Sequence, residues 1–333
     1  MNAPVTHPPR VGLIGAGAIA GVHMQGWLAL GADVLVFSNS GAEELTARYG
    51  GRVAADLEDL WPQVDLVDVV TPTYTHAEIA LAAIAAGKHV VCEKPLALDS
   101  RTAAEIVRAA DDAGVHLFPA HVVRYFPQYA TAYAAVSAGA VGEVAVSRFR
   151  RMSAAPLAPW FFDEAASGGL VLDQMIHDLD QARLIGGPVA SVFARSASRA
   201  GEQGTTASAT VTLTHTSGAI SYCFGVWGHP GLPFTYSFDI AGDAGNLSYD
   251  YARDDTTRVS ISGPAGPGGY VPAADPAESP YTTQLADFLA AIRGDGTPTV
   301  TGADGVEAVA LAEAAIASIA SGQPEPIAER SHS

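Results

Sequence analysis

Residues 10–21, RVGLIGAGAIAG, constrain this chain more than any other stretch. Val11 to Ile14 form an apolar run that reads as a buried strand. Gly15-Ala16-Gly17 make a turn, and Ala18 to Leu30 read as a helix. The spacing is G-x-G-x-x-A. Gly15 permits the tight turn, Gly17 lets the backbone approach a pyrophosphate, and Ala20 keeps helix and strand close. The helix N-terminus then offers unpaired N–H groups to an anion. Set between strand and helix, the pattern reads as a dinucleotide site whose pyrophosphate lies over Gly15, Gly17, Ala18 and Ile19. The alternative is a merely tight strand–helix turn.

The strand–helix alternation continues. Val34–Phe37 is a second strand and residues 42–49 a helix. Leu66–Val70 is a third strand, interrupted by Asp68, which reads as a satisfied edge or loop-facing acid. A helix from His76 closes at Gly87, Lys88–Cys92 is a fourth strand, and Asp99 or Ser100 caps the helix 101–113. Val115–Phe118 is a fifth strand. This order predicts a parallel doubly wound sheet. Ligands in such sheets bind beyond the C-terminal strand ends. Ser38, Asn39, Thr71, Pro72, His76, Glu93, Lys94 and His121 all fall there and are the expected cofactor residues. Lys94 follows a buried strand directly and is held by Pro95. The second strand ends Phe37-Ser38-Asn39-Ser40, without the acid that grips the ribose hydroxyls of NAD. Hydroxyls and an amide can instead donate to the extra phosphate of NADP. The expectation therefore leans to NADP over NAD, weakened because no arginine follows directly; Arg48 lies farther along the next helix.

The pattern changes near residue 123. A helical stretch, 123–139, is followed by period-two runs between 141 and 250, with hairpin turns at Thr216-Ser217-Gly218 and Asp243-Ala244-Gly245-Asn246. These predict a broad, mostly antiparallel sheet whose aromatic-bearing face wants cover, as at a subunit interface. One helix, 167–187, interrupts the runs. It places Asp173 and His177 four apart on one face, with Asp180 three beyond. An acid beside an imidazole suits proton handling, because histidine titrates near neutrality. A surface polar pair is the plain alternative. A metal site would need His121 or His76 as a third ligand; no dense ligand cluster accompanies the pair and Lys94 would repel a cation, so no metal is expected. Residues 254–280 read as a strand, Arg258–Ile261, and a long loop. Helices Tyr281–Ile292 and Asp304–Ala320 then precede a polar tail. Two domains follow: 1–122 for the dinucleotide, and 123–333 for substrate binding and oligomerisation.

A net charge of -17 repels nucleic acid, and the densest basic cluster, RFRR at 148–151, is short. The two cysteines, Cys92 and Cys223, make no disulfide framework and fit a reducing compartment. No run resembles a membrane span, and residues 1–10 hold no signal-peptide apolar core. A soluble cytoplasmic protein is expected.

Four segments together resemble one family. Gly15 to Ala20 look like its fingerprint, and Glu93-Lys94-Pro95 like its lysine motif. Gly168 to Asp180 look like its catalytic helix, and Gly242 to Leu247 like a further match. The chain resembles the Gfo/Idh/MocA family of nicotinamide-dependent oxidoreductases over nearly its whole length. The resemblance implies an α/β protein: an N-terminal Rossmann domain and a C-terminal domain with an open, mostly antiparallel sheet, assembled as dimers or tetramers through the sheet faces. It implies sugars, inositols, other polyols or their keto forms as substrates, with Lys94, Asp173 and His177 around the reacting carbon. Met175 stands where many relatives carry glycine, and His121 where they carry asparagine in the stretch that runs to Phe126. Arg124, Arg151 and Trp160 are candidates to line the substrate. Two alternatives share the fold: a glycosidase using NAD for transient oxidation, and a non-catalytic dinucleotide-binding regulator, against which the retained Lys94, Asp173 and His177 argue.

Overall fold

The computed structural model describes residues 8–201, 204–252 and 279–327. The loose tail expected before residue 8, the strand and most of the loop expected within 254–280, and the last residues of the polar tail lie outside them. In chain order the first elements are β1 (Arg10–Ile14), α1 (Ala20–Ala29), β2 (Asp33–Phe37), α2 (Ala42–Tyr49), β3 (Arg52–Val53), α3 (Leu57–Leu60), β4 (Leu66–Val69), α4 (His76–Ala85), β5 (His89–Glu93), α5 (Ser100–Ala113) and β6 (Leu117–Ala120). Then follow α6 (Pro127–Ser137), β7 (Val144–Ala154), α7 (Glu164–Ser167), α8 (Gly169–Asp173), α9 (Ile176–Gly186), β8 (Val189–Gly201), β9 (Gly204–His215), β10 (Ile220–Gly228), β11 (Thr235–Gly242), β12 (Asn246–Asp250), α10 (Pro280–Arg293), α11 (Gly302–Ser321) and β13 (Glu325–Pro326).

The chain forms two units. One runs to Phe126 and takes in the stretch from 279 to Glu307; the other runs from Pro127 and takes in the chain from Ala308 onward. In the first, six parallel strands lie in the order β3-β2-β1-β4-β5-β6. Their runs are apolar without alternation because helices cover both faces of such a sheet. The order reverses beside β1, which pairs with β2 on one side and β4 on the other. That reversal opens a crevice at the C-terminal strand ends. Local signals set the helix ends: the Asp99 carboxylate accepts the Thr102 N–H at 2.8 Å, and Gly114 closes α5 at φ +65°.

Helix α10 belongs to the first unit although it follows the second sheet in the chain. Its face packs on the first unit, not the second. A Cβ on Gly26 of α1 would stand 2.9 Å from Leu285, Phe288 stacks on Phe118 at 4.6 Å, and the Tyr125 hydroxyl donates to Asp287 at 2.7 Å. Periodicity shows that α10 has an apolar face; only long-range packing decides which core it covers.

The second unit is a seven-stranded sheet in the order β12-β11-β7-β10-β9-β8-β13. Neighbours are antiparallel except for the β7–β10 pair. Spacing predicts a single helix over 167–187, but the chain breaks it into α8 and α9 at Gln174-Met175. Gln174 turns inward: its Oε1 accepts from Ser153 Oγ at 2.7 Å, and its Nε2 donates to the carbonyls of Arg151 and Val226 at 3.3 Å. Met175 packs into the space left by Gly225, whose absent Cβ would otherwise lie 2.4 Å from Met175 Cγ. Met175 is fully buried and fills the core.

Candidate active site

The rim of the first unit assembles from four loops. Gly15 sits at φ +117°, and a Cβ there would lie 2.7 Å from the Val70 carbonyl oxygen, so the turn is pressed against the end of β4. At Gly17, by contrast, a Cβ would meet nothing within 4 Å, and Gly17 and Ala18 are exposed. Ile19 caps α1 without a side-chain hydrogen bond, and no acid lies in the first turn. An open glycine beside an uncapped helix N-terminus fits a pyrophosphate. Gly41 abuts the turn, its Cβ position 3.3 Å from Ala16 Cβ, which brings half-buried Ser38 and exposed Asn39 alongside. Arg48 is exposed at the last turn of α2, its guanidinium 5.1 Å from the Tyr49 ring centre.

His76 joins the next two loops. Its ring nitrogens lie 2.8 Å from the Pro95 carbonyl and 2.9 Å from that of Thr71, and burial pushes its pKa down. Thr71 and Pro72 remain half-buried on the rim, with Thr75 Oγ1 donating to Thr71 Oγ1 at 2.7 Å. Lys94 follows β5 at a cis Lys94–Pro95 peptide, and from His89 to Ala97 it alone is not buried. His121 follows β6 and is buried.

Two of the expected cofactor residues hold protein groups. His76 bridges two backbone carbonyls, and Glu93 directs one carboxylate oxygen to His23 (3.0 Å) and the other to the Lys94 N–H (3.0 Å). His23 escaped the sequence reading, and Asp68, expected there as a satisfied edge or loop-facing acid, is instead buried on β4 between β1 and β5. The one signal was Asp68 itself: an acid inside a buried apolar strand requires a partner, and His23 on the apolar helix α1 is that partner at 2.8 Å.

In the second unit, α8 and α9 lie on the sheet and carry Asp173 and His177. From Leu170 to Ala182, His177 alone is not buried; Asp173 is 3 % exposed. Asp173 closes α8 and His177 opens α9, with Gln174 and Met175, both in helical backbone conformation, between them. Trp160 is half-buried and stacks on Phe161 at 3.8 Å, beside Trp227.

The two arginines expected to line the substrate each pair with a carboxylate of their own unit. Arg151 is 1 % exposed and forks onto Asp178, Nε to Oδ2 and Nη2 to Oδ1 both at 3.0 Å, with the Tyr129 hydroxyl 3.4 Å away. It anchors α9 to β7 one residue beyond His177. Arg124 is 6 % exposed and donates to the Thr299 carbonyl and Asp304 Oδ1, both at 3.0 Å. It fixes the chain leading into α11, and with burial opposing it holds the Asp304 carboxyl down at about 2. The sequence does not show either pairing, because the partners of Arg151 and Arg124 are 27 and 180 residues away.

Comparison with known proteins places this arrangement. Residues 9–121 match the model for an oxidoreductase family with an NAD-binding Rossmann fold, and residues 129–248 match the Gfo/Idh/MocA C-terminal domain. The chain is 32% identical to a 1,5-anhydro-D-fructose reductase of Ensifer adhaerens, over 96% of this chain and 98% of that one. It is 29% identical to an inositol 2-dehydrogenase of Rhizobium meliloti, over 93% and 97%. A crystal structure of a putative myo-inositol dehydrogenase from Sinorhizobium meliloti aligns with a TM-score of 0.80 at 28% identity, over 96% of this chain and all of that one. With both domain models matched in order and relatives aligned end to end, the chain belongs to the Gfo/Idh/MocA family and is an NAD-binding oxidoreductase.

Proposed function

We propose that this oxidoreductase transfers a hydride between a nicotinamide dinucleotide and a secondary alcohol or ketone of a sugar, inositol or related polyol. The observation that carries the reading is the continuous rim of the first unit, where the open Gly17 turn, the Ser38–Asn39 loop, the Thr71–Pro72 turn and Lys94 meet through Ala16, Gly41 and His76. Gly15 to Ile19 hold the pyrophosphate and Ser38 and Asn39 the adenosine ribose. With no acid after β2, NADP is preferred to NAD. The dinucleotide, when bound, supplies the hydride acceptor or donor.

The chain's own residues handle the proton and the charge. In the oxidising direction the His177 imidazole takes the substrate hydroxyl proton; in the reducing direction it returns it to the carbonyl oxygen. The Lys94 ammonium donates to that oxygen and stabilises negative charge as it develops. Asp173 orients the substrate, and Trp160 lines it. The second unit carries substrate and oligomer contacts: Val146, Phe193 and Tyr222 are large apolar residues exposed on its strands, which fits a homodimer or homotetramer built through that sheet. A small-molecule substrate, with neither nucleic acid nor membrane as partner, and a cytoplasmic location complete the reading.

A panel of sugars and cyclitols, including myo-inositol as alcohol and 1,5-anhydro-D-fructose as ketone, each with both cofactors, tests it by reduced-cofactor absorbance. Turnover with at least one polyol or its ketone is expected, with tighter binding of NADP. Lys94→Ala and His177→Ala should each keep cofactor binding and lose on the order of 10² or more in kcat. Asp173→Asn should lose less. Near-normal turnover in both alanine variants removes Lys94 and His177 from the mechanism. Tighter NAD binding refutes the NADP preference.

A further inference from the structure

Beneath Lys94 lies a buried charged cluster that the reaction itself does not use. His23 is 0 % exposed on α1, one turn from the pyrophosphate end, with its N–H on the Ile19 carbonyl at 3.2 Å. Its Nδ1 lies 2.8 Å from Asp68 Oδ2 in β4, and its Nε2 3.0 Å from Glu93 Oε1 at the end of β5. Trp27 Nε1 donates to the same Asp68 oxygen at 2.6 Å, and Glu93 Oε2 accepts the Lys94 backbone N–H at 3.0 Å. One ring therefore links the cofactor helix, the central strand and the lysine turn.

We propose that His23 is a positioning residue: held as an imidazolium between Asp68 and Glu93, it fixes the Glu93 carboxylate that in turn sets the backbone of Lys94.

Three points support this. Both ring nitrogens face carboxylate oxygens, so both must carry hydrogen, and only the cation does. Burial alone would lower its pKa, but the charges and hydrogen bonds of Asp68 and Glu93 outweigh burial and hold it up at about 10. The same contact keeps Glu93 ionised against its own burial, with help from Lys94. Finally, the cluster is a poor device for stability. It sets two carboxylates against one imidazolium, and Asp68 Oδ1 is buried with no hydrogen-bond partner among the described residues. Apolar side chains of similar volume fill such a core as well or better. What the charges add is direction, and His23 applies it to Lys94 from one side while His76 holds Pro95 from the other.

The inference rests on Lys94 acting in turnover, so the test has two arms. The first is amide hydrogen exchange of the intact oxidoreductase by mass spectrometry. His23→Gln should speed exchange in peptides covering Glu93–Lys94 at least tenfold and leave α5 peptides unchanged. The second is kinetic, on the best panel substrate. His23→Gln should lower kcat tenfold or more with KM and cofactor Kd within about threefold, since small misplacements of a reacting group are costly. Added to Lys94→Ala, it should cost less than about twofold further. Glu93→Gln, which keeps the shape and loses the charge, should shift both readouts the same way and decides the matter if His23→Gln does not fold. Unchanged exchange at Lys94, an unchanged kcat, or a full additional loss on the Lys94→Ala background overturns the proposal. If Lys94→Ala is itself active, the catalytic reading fails, and the exchange arm still decides whether His23 holds the turn.

Discussion

Replacing Arg151 by leucine separates a structural role from substrate contact. Its side chain is 2 % exposed, and that of Asp178 is 0 %. The variant strands a carboxylate in the core of the second unit. Two routes give the cost. Removing one partner of a buried pair costs about 3–5 kcal/mol. Alternatively the stranded carboxyl takes up a proton; moving it from an ordinary pKa of about 3.9 to neutrality at pH 7 costs about 4 kcal/mol. The agreement makes a sharper claim, because the second route depends on pH. In the variant the folded chain holds one proton that the unfolded chain releases above about pH 4, so stability falls as pH rises, by about 1.4 kcal/mol per unit. Urea unfolding followed by tryptophan fluorescence at about pH 5, 6 and 7 should show a deficit near 4 kcal/mol at the top of that range and about 1.5 kcal/mol at the bottom. Arg151→Leu with Asp178→Leu should recover most of the loss, since the pair is replaced as a whole. If Arg151→Leu leaves the midpoint unchanged at every pH and raises KM tenfold, the guanidinium faces substrate and the structural reasoning is wrong.

The two glycines of the fingerprint should fail differently. Gly15→Ala forces a Cβ against the Val70 carbonyl at φ +117° and should lower the melting temperature sharply, whereas Gly17→Val should melt near the parent and weaken dinucleotide binding at least tenfold by titration. Asp304 is held at about 2, so its contribution is present above about pH 4 and is lost as pH falls toward 2; it is worth about 2 kcal/mol, and Asp304→Asn should flatten that part of the acid unfolding curve. Gln174→Leu should leave Ser153 Oγ and two carbonyls short of partners, destabilising the second unit by about 1–3 kcal/mol in urea and lowering kcat through the α8–α9 break.

The sequence by itself determined the elements whose signals are local. A parallel strand buried on both faces reads as an unbroken apolar run, a turn that only glycine can make shows as Gly15, and alternating Val, Thr and aromatic residues show the second sheet. From these follow the doubly wound unit, the dinucleotide rim and the positions of Lys94 and Ser38 just beyond their strands. Tertiary structure alone decided whatever depends on partners distant in the chain. Arg124 and Arg151 carry the same charge as any surface arginine; only Asp304 and Asp178, brought in by folding, make them anchors. The helix break at Gln174 has no local cause, because good helix-forming residues surround it; the cause is a set of acceptors and donors on β7 and β10. Helix α10 carries an apolar stripe that fits either core, and Gly26 and Phe118 select the first. Asp68 shows the division most clearly. Its presence in a buried strand states that a charge must be met, but not by what; the answer, His23, is 45 residues earlier and became visible only when α1 was laid across β4.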